Sequence, residues 1–159
     1  MRKRLGRNSS LVRQQQPPLP DSAPFLDRTF ASSDHAKNEA LEAVLKSLHQ
    51  GMLLPEESEE IRMRLCLDEA LRNAVMHGNK FDPAKIARVR LWRNSAGWTA
   101  LIEDQGAGFR EEDLPDPDAP ENLLEEGGRG VHLIRTMMDE CSYWNGGSAL
   151  LIQRRVPAS

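Results

Sequence analysis

Residues 68–79 read DEALRNAVMHGN. Glu69, Asn73 and His77 stand four residues apart. On an α-helix each such step turns only ~40° about the axis, so the three polar side chains share one stripe. Cys66, Ala70 and Ala74 give that stripe an apolar border. A carboxylate one turn from a carboxamide suits a hard divalent cation and a nucleotide. The amide oxygen can ligate the cation, which takes few protein ligands beside substrate phosphates, and the carboxylate can orient or deprotonate a nucleophile. A solvated polar stripe on a surface helix has the same pattern, so the stretch gains its meaning from its surroundings.

Pro55 can open the helix that carries the stripe, with Glu56 and Glu57 favourable in its first turn, and Gly78-Asn79 stops it just after His77. Upstream, the Ser-Ser-Asp at 32–34 offers an N-cap. HAKNEALEAVLKSLHQ then repeats apolar residues at helical spacing (Ala36, Ala40, Leu41, Val44, Leu45, Leu48), and Gly51 ends it. Before it, FLDRTF at 25–30 has the composition of an edge strand. Downstream, KIARVRLWRN alternates through Ile86, Val89 and Leu91. GWTALIED follows, with NSAG between them as a hairpin turn.

The second strand runs into DQGAGF, residues 104–109. Asp104 at a strand end can accept a hydrogen bond from a donor such as an exocyclic amine, and Gly106 and Gly108 permit positive φ and close backbone approach. Residues 110–126 are acidic, hold three prolines and lack a helical period, which predicts a flexible loop. GGRGVHLI at 127–134 places glycines before a helix whose buried side holds Val131, Ile134, Met137 and Met138. Free N–H groups at such a helix start favour a phosphate, and Arg129 adds a charge-assisted contact. The GK[ST] ending of a P-loop is missing. CSYWN and SALLIQRR, separated by two glycines, predict a closing hairpin. The order is strand, two helices, two strands, loop, helix, two strands. It predicts an α+β two-layer sandwich: a mixed, mostly antiparallel sheet with helices on one face.

The 159 residues suit one core, and 39% are hydrophobic. Residues 1–24 are rich in Pro and Gln and carry five basic side chains and one acidic, a charge of +4 that leaves −7 for the rest of a chain at −3. The expectation is a disordered basic tail over 1–24 and a folded domain over 25–159. An acidic body argues against direct nucleic-acid binding. The lack of a long apolar run argues against a membrane span, and the lack of an apolar leader segment points to the cytoplasm. Cys66 and Cys141 lack metal-ligand spacing and read as buried reduced thiols.

Helix ExxxN, strand-end DxGxG, a flexible loop and a Gly-rich helix start, in that order, resemble the GHKL ATPases with the Bergerat ATP-binding fold. EALRNAVMHGN together with GRGVHLIRTMMDE is most similar to the anti-sigma factor serine-protein kinases, the RsbW-like proteins. The resemblance implies ATP and Mg²⁺ as cofactors, with Glu69 as general base toward a serine of a partner and Asn73 as metal ligand. Asp104 would accept the adenine amine, with Gly106 and Gly108 admitting the base. Gly128, Arg129 and Gly130 would hold the phosphates beneath a lid of roughly residues 110–127. Ser148 stands for the threonine that many relatives carry on the last strand, beside the adenine-binding aspartate, and His77 lies at the far end of the cofactor-binding stripe. The implied partners are a sigma factor and an anti-anti-sigma antagonist, and the implied assembly is a homodimer. Two alternatives keep the same fold. One is an ATP-gated binding module with negligible kinase activity. The other is a stand-alone histidine-kinase-type ATPase domain, which the want of a dimerisation hairpin around His35 disfavours; His49 and His132 read as peripheral.

Overall fold

The computed structural model describes residues 12–113 and 126–157, residues 126–129 through the backbone alone. Five strands form one antiparallel sheet: β1 (Leu26–Ala31), β2 (Ile86–Arg93), β3 (Gly97–Glu103), β4 (Glu140–Trp144) and β5 (Ala149–Arg155). Their spatial order is β1-β2-β3-β5-β4. Three helices, α1 (Asp34–Gln50), α2 (Glu57–Arg72) and α3 (Glu126–Met137), complete the α+β sandwich.

The period-2 pattern of the strands separates the two faces of the sheet. Ala87, Val89 and Leu91 of β2, Trp98, Ala100 and Ile102 of β3, and Leu150 and Ile152 of β5 join the core with the helices. Ile86 belongs to the opposite parity. The alternation expected through Ile86, Val89 and Leu91 is therefore corrected to Ala87, Val89 and Leu91, and Ile86 is exposed. The other face carries a smaller apolar cluster of Trp92, Leu101, Trp144, Ala149 and Leu151.

Helix α1 begins where expected, with Ser33 Oγ accepting the Ala36 N–H at 3.2 Å, and Gly51 closes it. Its buried side adds Lys37, whose ammonium pairs with Asp68 of α2. Helix α2 starts at Glu57, two residues after Pro55. The continuous helix expected to about His77 is corrected: the α-helical part ends at Arg72, and Asn73–Gly78 forms one wider π-helical turn. The Asn79 N–H reaches the Ala74 carbonyl at 2.9 Å, the i→i−5 bond of such a turn. Lys80 and Phe81 then take left-handed φ of 52° and 54° to enter β2, with Phe81 N–H on the Val75 carbonyl at 3.0 Å.

Disorder over residues 1–24 does not hold for the described part, 12–24. Val12 is buried and forms a parallel bridge with Tyr143 at the β4 edge, and Trp92 Nε1 donates to the Ser22 carbonyl at 3.0 Å. Val12 joins the main core, and Arg13 and Ser22 meet Trp144 and Trp92 of the outer-face cluster. A Pro-rich segment with few apolar residues of its own is ordered when the surface beneath supplies them.

Arg154 of β5 ties three elements together. Its Nε and Nη2 donate to both carboxylate oxygens of Glu59 in α2 at 2.7 and 3.0 Å, and its Nη1 donates to the Met137 carbonyl of α3 at 2.9 Å. Both side chains are mostly buried. Arg154→Ala strands the Glu59 charge and is expected to cost about 2–3 kcal/mol. The check is a lowered urea midpoint at unchanged slope.

Candidate functional site

The loop after β3 is held at both ends by the turn between β4 and β5. The Asp104 N–H donates to the Ser148 carbonyl and the Phe109 N–H to the Gly146 carbonyl, each at 2.9 Å. Asp104 Oδ1 accepts the Gly106 N–H at 2.8 Å. The second carboxylate oxygen has no hydrogen-bond donor among the described residues. Burial pushes the Asp104 carboxyl up to about 6, opposed by the Gly106 N–H and the Lys85 charge. A partly buried carboxylate with one open acceptor fits an amine-bearing base.

Gly106 and Gly108 sit where backbone comes close and, at Gly108, where φ is positive. A β-carbon on Gly106 would lie 2.1 Å from the Gly78 carbonyl oxygen. One on Gly108, at φ +73°, would lie 2.1 Å from the Gly146 carbonyl oxygen. The close backbone approach expected of these glycines is thus to the Gly78 and Gly146 carbonyls.

Gly78 and Asn79, which the sequence marks only as a helix stop, are neighbours of this loop. A β-carbon on Gly78 would lie 2.3 Å from the Asp104 carboxylate, so the end of the π turn seats that acid. Asn79 is fully buried. Its Oδ1 accepts the Gln105 N–H at 2.7 Å, and its Nδ2 donates to Ser32 Oγ at 2.9 Å and the Ile86 carbonyl at 3.0 Å. Gln105 Oε1 returns to accept the Ile86 N–H at 2.9 Å. One carboxamide thus joins the helix end, the β2 start and the hexapeptide. Asn79→Ala leaves these groups without partners and is expected to cost roughly 2–4 kcal/mol, read by chemical denaturation.

Helices α2 and α3 meet at a second group of candidate residues. Glu69 faces α3 so closely that a β-carbon on Gly130 would lie 2.1 Å from its Oε1. Helix α3 starts at Glu126, so Gly127, Gly128 and Arg129 sit within its first turns instead of preceding it. N–H groups of a first helical turn have no intrahelical acceptor and remain open to an anion. The Arg129 side chain lies outside the described atoms, as do lid residues 114–125.

Asn73 opens the π turn, and its Oδ1 is buried without a hydrogen-bond partner. Among the described residues no cluster of three or more His, Cys, Asp or Glu could hold a metal ion. A lone orphaned amide oxygen suits a cation that draws its other ligands from phosphates and water. His77 lies within the π turn that follows Asn73, and its side chain is exposed. Ser148 meets the site through its backbone, while its hydroxyl donates to the Asn145 carbonyl at 3.2 Å.

Among the described residues no helix is long and apolar enough to cross a membrane. Serine-protein kinase RsbW of Bacillus licheniformis is 33% identical over 84 residues, covering 49% of this chain and 52% of that protein. The anti-sigma F factor of Clostridium perfringens is 25% identical over 128 residues, covering 76% of this chain and 90% of the relative. That of Geobacillus kaustophilus is 25% identical over 134 residues, with 80% and 90% covered. The match thus spans about half the length of the RsbW protein and nine-tenths of the anti-sigma F factors. Residues 31–154 match the histidine kinase-like ATPase domain, and the chain belongs to that family.

Proposed function

We propose that the protein binds ATP with Mg²⁺, phosphorylates a serine of an anti-anti-sigma antagonist protein, and sequesters a sigma factor when that antagonist is not engaged. The observation that carries the reading is the Glu69 carboxylate lying against the first turns of α3 at Gly130, one helical turn from the unpartnered Asn73 oxygen. The names of the relatives, a serine-protein kinase and anti-sigma factors, support both halves of it. The cytoplasm and a homodimeric state belong to the same reading.

The free Asp104 oxygen accepts the adenine amine, and first-turn N–H groups of α3 receive phosphate oxygens. Asn73 Oδ1 would hold the cation, which when bound neutralises charge on the transferring phosphoryl group. Glu69 takes the proton from the partner's serine hydroxyl as the serine oxygen bonds to the γ-phosphorus. The γ-phosphorus–oxygen bond to the β-phosphate breaks, and ADP keeps that electron pair.

The test is transfer of labelled γ-phosphate from ATP to antagonist proteins from the same cell. Label on a serine is the expected result. ATP bound in titration with no label on any antagonist of the panel would leave an ATP-gated binding module in place of the kinase.

A further inference from the structure

The β4–β5 turn that holds both ends of the hexapeptide is itself a strained element. Asn145, Gly146 and Gly147 have φ of 52°, 68° and 104°, three left-handed residues in succession. Its inner side carries Asp104 and Phe109. On its outer side, the Gly146 N–H donates to the Arg13 carbonyl at 2.9 Å and the Asn145 N–H to the Gln15 carbonyl at 3.0 Å. The Gln14 side chain lies against Gly146, where a β-carbon would come 3.1 Å from its Oε1. The N-terminal segment is anchored in turn. The Arg13 N–H donates to the Tyr143 carbonyl at 2.9 Å, and the Arg13 guanidinium lies 4.7 Å from the centre of the Trp144 ring. The Tyr143 ring meets Phe109 edge-on at 4.8 Å.

We propose that Arg13, Gln14 and Gln15 are positioning residues of the nucleotide site: they clamp the Asn145–Ser148 turn and through it fix Asp104 and the end of the hexapeptide. The inference rests on the ATP-binding reading. The bonds on the turn are made by backbone carbonyls, so they form with any side chains at 13 and 15. Without them two N–H groups of a left-handed turn lose their acceptors, and the scaffold behind Asp104 slackens.

The test uses the full chain with Val12→Asp and Arg13→Pro together, which undocks the segment and removes the Arg13 N–H. The expected result is at least a tenfold rise in the ATP Kd and faster amide exchange at Asn145, Gly146 and Phe109. Coupling is reciprocal, so in the unmodified chain saturating ATP is expected to slow exchange of the Arg13 and Gly146 N–H groups at least tenfold. That second measurement stands even where the double variant does not fold. An ATP Kd within twofold of wild type in a folded double variant, or no slowing in the wild type, would overturn the proposal. Failure of the ATP reading itself shows separately, as a wild-type chain that binds no ATP.

Discussion

Glu69→Gln is expected to lower the rate of phosphoryl transfer to the antagonist by about 10²–10⁴-fold, the usual worth of a positioned general base. ATP affinity is expected to stay within about threefold, because the lost interaction is made in the transition state and not in nucleotide binding. The isosteric amide matters. Glu69 lies against the backbone of α3, where a β-carbon on Gly130 already has no room, so a larger side chain would push the two helices apart. Glutamine keeps the shape and removes only the basicity. A fall in the maximal rate with unchanged KM for ATP identifies the proton acceptor. A rate equal to wild type transfers that role elsewhere and leaves Glu69 as a packing contact between α2 and α3.

The sequence pattern reached the strand and helix order because each element repeats its apolar residues at its own period. In α1, Ala40, Leu41, Val44, Leu45 and Leu48 are the buried side as expected. Lys37 was illegible because its burial depends on Asp68, thirty-one residues away. The π turn at Asn73–Gly78 was illegible for the same kind of reason. Its residues would continue an α-helix, and the wider turn is chosen by what it meets: the Asn79 hydrogen bonds and the contact of Gly78 with Asp104. The candidate residues Glu69, Asn73 and Asp104 stand out by chemistry and spacing. The close backbone approach at Gly106 and Gly108 was legible too, but not its partners, since the facing carbonyls come from Gly78 and Gly146, distant in sequence. The order of segment 12–24 is not legible in its composition, which says nothing of the core that takes Val12 or of Trp92 and Trp144, which meet Ser22 and Arg13.

Asp104→Asn is expected to weaken ATP binding about 10–150-fold, the equivalent of roughly 1.5–3 kcal/mol for a charged acceptor lost from a buried hydrogen bond. The pH dependence separates this from general damage. Burial holds the Asp104 carboxyl up at about 6 in the free protein, against 3.8 for the ordinary side chain. The ionised form accepts the adenine amine, so ATP affinity rises as pH climbs through about 6 and levels off above about pH 7. The stability of the free protein moves the other way. A carboxyl with a raised folded pKa contributes stability that is fully present below 3.8 and is lost as pH rises through about 6. Asparagine does not titrate, so both dependences vanish from the variant. The difference between wild-type and variant binding curves from pH 5 to 8 cancels the titration of ATP itself. A difference that stays flat across that range places the adenine amine on another acceptor, whereas a step centred near 6 assigns it to the open oxygen of Asp104.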